Sequence, residues 1–212
     1  MSDPPPLWPP NVSYTPRSLI SRTFPPTHLR YINTRAIPTS TLRSLPPLPL
    51  CPHPKDTVRI KQITDSSHPA RGQNGLFVVR NVKPRTKVID YVGVIHSRTP
   101  PVGQAEAWID PHERSDYDLS LIRCMSTADP GETDHVPILV DIGIDADAQG
   151  NAARMINDYR GIGAKPNVEF RLGWDEVSGW ARMEVWALSA GLKKGEEVLV
   201  SYGKGFWSAR NA

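Results

Sequence analysis

Cysteine is scarce in this sequence, which has only Cys51 and Cys124 among its 212 residues. Two thiols cannot complete an all-cysteine tetrahedral zinc site, and secreted disulfide frameworks normally contain more cysteines. We therefore expect two reduced thiols in an intracellular protein and no metal site. The sequence does not decide between nucleus and cytoplasm.

Long hydrophobic runs and a strong charge imbalance are also lacking. No apolar stretch approaches the roughly 18–20 residues that a membrane helix needs, so we expect a soluble protein without a membrane partner. The 25 basic and 22 acidic residues give a formal net charge of only +3. Direct nucleic-acid binding, which normally requires a dense basic patch, is not expected. We expect a monomer.

Proline, in contrast, is abundant, and most of the 22 prolines precede residue 55. Proline fixes φ and donates no backbone hydrogen bond, so residues 1–54 should be extended or irregular. Three interpretations remain open: a disordered tail, a strap packed on the folded domain through side chains such as Trp8 and Phe24, or a targeting segment. The last is suggested by arginines among Ser and Thr, although prolines would break the helix of a transit peptide.

From residue 57 the pattern changes to short β-rich runs separated by Gly, Pro, Asn and Asp. In ARMEVWA, residues 181–187, small and apolar residues fall on alternate positions, which is typical of a half-buried strand. Residues 151–157 are the best short helix. A mostly β fold is predicted, with strands at 58–63, 76–82, 87–95, 117–123, 137–142, 168–172, 181–188 and 197–201.

Four segments carry the motifs of this region. The first is a glycine turn and strand, GQNGLFVVRNV at 72–82, followed by KVIDYVG at 87–93. The second is DYDLSL at 116–121. The third is GNAARMIN at 150–157 with Pro166-Asn167 downstream, and the fourth is GEEVLVSYG at 195–203 with Phe206-Trp207 after it.

In this order and spacing, the four segments resemble the SET-domain pattern, mainly through residues 150–157 and 195–203. The resemblance covers residues 57–207, and we take 55–207 as the domain and 208–212 as a short tail. It implies a mostly β, β-clip-like fold of several small sheets with short helices and a knot-like C-terminal crossing. It also implies a methyltransferase that uses S-adenosyl-L-methionine and acts on a lysine of a protein substrate.

The resemblance further implies which residues contact the cofactor. A glycine turn lets the backbone approach a ligand without an intervening Cβ, although an ordinary hairpin turn has the same pattern. Arg154 could bind a carboxylate or have a packing and ion-pair role. Asn157 carries donors and an acceptor on a short arm. The predicted cofactor residues are Gln73, Asn74, Gly75, Leu76, Tyr117, Arg154, Asn157, Asp158 and Trp207.

Tyr202 matches the catalytic tyrosine of the family, and Tyr91 matches a second tyrosine of the same channel. Methyl transfer needs an aligned, uncharged amine, which a dry aromatic channel favours by desolvation. Hydroxyl and carbonyl oxygens can hold the developing charge. Val200, Phe206 and Phe170 are predicted to line the substrate channel, and Phe170 could equally be an ordinary core aromatic.

Two departures from the family pattern concern the cofactor site. Asp158 stands where the family usually has His, and residues 159–165 contain four more residues than the usual linker to Pro-Asn. A lid must also come from elsewhere, and the proline-rich segment or a partner could supply it. These departures favour an alternative function, a catalytically silent SET-fold binding module. Methylation of a group other than lysine is a third possibility.

Overall fold

The computed structural model describes residues 3–35, 47–99, 108–126 and 138–203. The fold is mostly β with several small sheets and short helices, as predicted. No helix within these ranges is long and apolar enough to cross a membrane. The helices are α1 (Leu29–Ile32) and the 3-10 helices Pro26–His28 and Ala152–Met155. The strands are Ser13–Tyr14 (β1), Leu19–Ile20 (β2), Val58–Gln62 (β3), Asn74–Val78 (β4), Lys87–Tyr91 (β5), Val94–Ser97 (β6), Asp118–Ser126 (β7), Ile138–Asp145 (β8), Gln149–Gly150 (β9), Asn157–Asp158 (β10), Val168–Trp174 (β11), Ala181–Ala187 (β12) and Leu199–Val200 (β13).

The strands form small separate sheets rather than one large one. The largest described sheet has the order β2-β6-β8-β7, and a second has the order β11-β12-β5. β3 and β4 form an antiparallel pair, while β1-β9 and β10-β13 are short parallel pairs. Short strands that change partner in this way are joined by several irregular turns. Residues of several of these turns line one cavity, which is described below.

The alternation predicted for residues 181–187 is present in β12. Ala181, Met183, Val185 and Ala187 are buried, while Arg182, Glu184 and Trp186 are partly exposed. Successive strand residues point to opposite faces, so β12 places one face in the core.

Each predicted strand overlaps an observed one, with differences at the ends. The predicted strand 87–95 is divided into β5 and β6 at Val92 and Gly93. A Cβ on Gly93 would lie 2.3 Å from the carbonyl oxygen of Asp145, so this close approach requires glycine. The predicted helix 151–157 is a single 3-10 turn, which begins where Asn151 Oδ1 accepts the N–H of Ala153 at 3.2 Å.

The described part of the N-terminal segment packs on the sheets as a strap. β1 pairs with β9, and β2 pairs with β6. Phe24, Leu29 and Ile32 are buried in the core. Residues 36–46 lie outside the described ranges. The segment thus contributes strands to the sheets, and the domain boundary at residue 55 stays a prediction.

The C-terminal crossing is visible in the hydrogen bonds of β13. The backbone N–H and C=O of Leu199 both bond to Asn167, at 2.8 and 3.0 Å. The carbonyl of Val200 accepts the N–H of Tyr159 at 2.9 Å. Consecutive residues of a strand direct these groups to opposite edges. β13 therefore lies between Tyr159 and Asn167, and the loop that joins them passes across it.

Candidate active site

A cavity of about 410 Å³ lies where the turns of the small sheets meet. It brings together residues that are far apart in the sequence, and its volume falls within the roughly 300–1,000 Å³ of small-molecule sites. Seven predicted site residues line it: Gln73, Asn74, Tyr117, Arg154, Asn157, Asp158 and Tyr202. Its other lining residues are Pro9, Pro69, Ala70, Asp116, Met155, Arg160 and Ile162.

One wall is the glycine turn before β4. Gln73 and Asn74 face the cavity, and Gly72 has a φ of 83°, a left-handed value that favours glycine. Gly75 and Leu76 do not line the cavity, and the side chain of Leu76 is fully buried. A Cβ on Gly75 would lie 2.7 Å from Oε1 of Glu197. The ring of Phe77 would lie 2.9 Å from the same Cβ, so both side chains limit the space at position 75.

Glu197 connects the glycine turn to Asn157. Nδ2 of Asn157 donates to Oε1 of Glu197 at 2.8 Å, and Oε2 of Glu197 lies 3.0 Å from Nε2 of His68. Because the N–H of Ala70 donates to Nδ1 of His68 at 3.0 Å, the neutral ring carries its proton on Nε2 and donates it to Glu197. The sequence indicated Asn157 but not His68, which lies outside the matched motifs.

Arg154 packs on Tyr117 at the next wall. Its guanidinium carbon lies 4.0 Å from the centre of the Tyr117 ring, a cation–π geometry. Nε donates to the carbonyl of Ala146 at 2.8 Å. Both alternatives for Arg154 thus have support, since the side chain is held internally and also faces the cavity.

Asp158 holds the backbone that carries Tyr202. The N–H of Tyr202 donates to Oδ2 of Asp158 at 2.7 Å, and Nη1 of Arg160 lies 2.9 Å from the same oxygen. The backbone N–H of Arg160 donates to Oδ1 at 2.8 Å. The carboxylate of Asp158 is therefore bonded to both the segment that carries Tyr202 and the loop of residues 159–165.

The inserted loop forms part of the cavity wall. Arg160 and Ile162 line the cavity. Gly161, with a φ of 77°, packs on the loop before the glycine turn, and a Cβ there would lie 2.7 Å from Cγ of Pro69. The insertion thus closes one side of the cavity.

The hydroxyls of Tyr202 and Tyr91 are both fixed by backbone carbonyls. Tyr202 donates to Ile156 and Tyr91 to Tyr117, each at 2.7 Å. Burial, with a further contribution from neighbouring Tyr117 and Asp158, raises the pKa of Tyr202. Burial and then the charge of Asp145 raise the pKa of Tyr91 well above its ordinary value. Both phenols are protonated at neutral pH.

The two described channel residues, Phe170 and Val200, do not line the cavity. The ring of Phe170 meets that of Tyr91 edge-on, with centroids 5.6 Å apart. Val200 is buried and pairs with Asp158 across β10 and β13. Phe206 and Trp207 lie outside the described residues.

Several lining residues were not predicted as site residues. Asp116 and Met155 stand within the matched motifs, which could have indicated them, and Arg160 and Ile162 lie in the inserted loop. Pro9 comes from the strap, and no local pattern marks it. Among the described residues, no group of three or more His, Cys, Asp or Glu side chains is placed to hold a metal ion.

No protein-family model and no curated protein matches the sequence. Solved structures give weak likenesses. A Chaetomium thermophilum polycomb repressive complex 2 matches with a TM-score of 0.46 and 24% identity, covering 71% of this chain and 16% of that chain. A humanized mutant of that complex, bound to an inhibitor, gives 0.45 and 24%, covering 70% and 15%. KRYPTONITE in complex with mCHH DNA, an H3 peptide and SAH gives 0.42 and 16%, covering 68% and 23%.

This chain therefore spans less than a quarter of each of these solved chains. The neighbours are SET-domain proteins.

Proposed function

We propose that this chain is a methyltransferase that uses S-adenosylmethionine and acts on a lysine side chain of a protein. The observation that supports this most is the convergence of the motif residues. Residues from four separate segments line one cavity, and Tyr202 stands in its wall with a fixed hydroxyl. A core that served only stability would have no need for this polar lining.

The lining suits a zwitterionic cofactor that carries an additional positive sulfonium. Asp116 and Asp158 supply negative charge, while Arg154 and Arg160 supply positive charge. Apolar surface comes from Pro9, Pro69, Met155 and Ile162 at the same cavity. A cavity with much apolar surface and a few convergent polar groups is typical of cofactor sites.

When bound, the cofactor supplies an electrophilic methyl group. Gln73, Arg154 and Asn157 would help to hold the cofactor, and the amine would take its methyl group while sulfur kept the electron pair of the broken carbon–sulfur bond. The chain must align the amine and keep it neutral. Burial of Tyr91, against the partly buried ring of Phe170, disfavours an ammonium ion, and its lost proton goes to solvent.

Tyr202 and Tyr91 then orient the reacting groups as acceptors. Each hydroxyl donates its proton to a backbone carbonyl, which fixes the orientation of the phenolic oxygen. Such oxygens can accept weak C–H hydrogen bonds from a polarised methyl group. The raised pKa values mean that neither tyrosine serves as a base at neutral pH.

A second candidate is a catalytically silent SET-fold binding module. One observation favours it: the amide of Asn157 is bonded to Glu197, and the carboxylate of Asp158 is bonded to Tyr202 and Arg160. Because of these bonds, the two side chains offer a cofactor fewer polar groups than their positions in the cavity wall suggest. Backbone groups of the same residues would then have to supply the contacts.

The first test is calorimetry with S-adenosylmethionine and its demethylated product. Absence of binding at millimolar concentration would favour the silent module. If the cofactor binds, we expect Tyr202→Phe to abolish transfer of labelled methyl groups to proteins of a cell extract while leaving the Kd within about threefold, a change of under about 1 kcal/mol. The control is Tyr31→Phe, because the Tyr31 hydroxyl contacts Arg30 away from the cavity. Equal activity of the two variants would contradict the assignment of Tyr202.

A further inference from the structure

Residues 3–15, here named the N-terminal cap, fold into a compact unit at the mouth of the cavity. The N–H groups of Trp8 and Val12 donate to the carbonyls of Pro5 and Pro9, each at 3.2 Å. The indole N–H of Trp8 donates to the carbonyl of Val12 at 2.6 Å. These bonds close two successive turns, so the cap has a defined shape despite its prolines.

The cap is bonded to both sides of the cavity. On the glycine-turn side, Nδ2 of Asn74 donates to the carbonyl of Leu7 at 3.0 Å. On the opposite side, the N–H of Ser13 donates to the carbonyl of Ala148 at 3.0 Å, and that of Thr15 to Gly150 at 2.8 Å. The chain therefore crosses the mouth between these two walls.

Pro9 is the residue of this crossing that reaches the cavity. It lines the main cavity and also a second one of about 410 Å³, which Asn11, Val12, Asp147 and Ala148 help to line. Tyr117 and Arg154 line both as well. The two cavities are thus parts of one cleft that the cap divides.

The backbone of Leu7 is strained at the point where the cap meets Asn74. Its φ is 64°, and among the described non-glycine residues only Arg85 shares a positive value. The left-handed region is unfavourable for leucine. Because the Leu7 side chain is 56% exposed, packing of that side chain does not explain the conformation. The strained backbone instead places the carbonyl oxygen of Leu7 where Asn74 can donate a hydrogen bond to it.

We propose that the N-terminal cap is a wall of the cofactor site, and that the Leu7–Asn74 hydrogen bond is a latch that opens when cofactor exchanges. This proposal rests on the proposed function. Asn74 then acts on the cofactor through the cap, as a positioning residue. A strained latch suits this role, because it holds the closed form without making it too stable to open.

The test uses the full chain and S-adenosylhomocysteine as the probe. Calorimetry gives its Kd, stopped-flow fluorescence gives its dissociation rate, and hydrogen exchange follows the amides of Trp8 and Val12. We expect Asn74→Ala to raise the dissociation rate about two- to tenfold, as for loss of one hydrogen bond. Exchange of the cap amides should become faster even without the probe, which loss of a direct cofactor contact would not cause.

Leu7→Gly should have the opposite effect to Asn74→Ala on the dissociation rate, because glycine adopts the left-handed conformation easily. We expect slower dissociation of the probe and slower exchange of the cap amides. The matched control is Asn81→Ala, which removes an exposed side-chain contact to the N–H of Lys194. The control should change neither rate.

The outcomes separate this proposal from the proposed function. If the full chain binds the probe and neither Asn74→Ala nor Leu7→Gly changes the dissociation rate, the latch is contradicted while the enzyme stands. If only Asn74→Ala binds the probe, the cap is a barrier instead of a wall, which also overturns the proposal. If no variant binds the probe, both proposals are overturned.

Discussion

The carboxylate of Asp158 accepts the backbone N–H of Tyr202, with its Oδ2 2.7 Å from the nitrogen. The same carboxylate pairs with Arg160, which belongs to the inserted loop. The two departures from the SET pattern are therefore one structural unit. The loop supplies the positive charge that a buried carboxylate needs, and the carboxylate fixes the strand end that carries Tyr202.

Asp158→Ala is expected to destabilise the protein by about 1.5–3 kcal/mol, because it leaves the N–H of Tyr202 and the guanidinium of Arg160 without this acceptor. Asp158→Asn keeps an acceptor and should have a smaller effect. Urea unfolding of each single variant, of Arg160→Gln and of the double variant Asp158→Asn/Arg160→Gln gives the coupling energy between the two side chains.

The matched control for this cycle is the pair Glu169–Arg171, which is 43% and 42% exposed and also separated by two residues. Exposed pairs contribute only about 0.2–1 kcal/mol. If the coupling between Asp158 and Arg160 does not exceed that of the control pair, the two departures are independent after all.

Gly75→Ala tests whether Glu197, and not the cofactor, requires glycine at position 75. The new Cβ would lie 2.7 Å from Oε1 of Glu197 and 2.9 Å from the ring of Phe77. We expect a destabilisation of about 1–3 kcal/mol, typical of overpacking, measured by urea unfolding without cofactor. The stability losses of Gly75→Ala and Glu197→Ala should not add fully in the double variant, because both changes break the contact between Glu197 and Asn157.

Gly163→Ala is the control for this substitution, because the nearest atom to its Cβ would be 3.6 Å away. Its unfolding free energy should stay within about 1 kcal/mol of that of the parent chain. Equal stability of Gly75→Ala and Gly163→Ala would show that the glycine turn has room for a side chain. It would then favour a direct contact between position 75 and the cofactor.

The sequence predicted the strands and much of the cavity because both depend on local patterns. Alternation marks β12, and the motif around residues 150–157 marks Arg154 and Asn157. The contacts between distant segments have no such signature. Glu197 meets His68 across 129 positions, and nothing near either residue indicates the partner. The proline-rich segment has no periodicity that distinguishes a tail from a strap, since its packing depends on a groove formed by other residues.

The strap should contribute to global stability through its buried side chains. Ile32 in α1 is fully buried, so Ile32→Ala is expected to lower the unfolding free energy by about 2–5 kcal/mol. Leu50 is the control, because it is 60% exposed and Leu50→Ala should change stability by less than about 0.5 kcal/mol. Thermal unfolding of the full chain compares the two, and equal melting temperatures would indicate a tail.

Asp175 lies in the β11–β12 turn, which contacts the strap, and the contacts of its carboxylate within that turn should depend on pH. The Ser178 hydroxyl and N–H, each 2.7 Å away, together with Arg182, hold the pKa of Asp175 at about 2. The carbonyl oxygen of Ser178 in turn accepts a hydrogen bond from Nδ2 of Asn33.

A carboxyl with a lowered pKa stabilises the fold fully above its unfolded value of 3.8 and loses this contribution as the pH falls toward 2. The stability difference between the parent chain and Asp175→Asn should therefore be constant above about pH 5 and shrink between pH 4 and 2, as measured by urea unfolding at each pH. In Ser178→Ala the decline should be smaller and should end at higher pH, because the hydroxyl contributes most to the lowered pKa of Asp175. A difference that does not change with pH would show that the carboxylate is not bonded to Ser178 and Arg182 in solution.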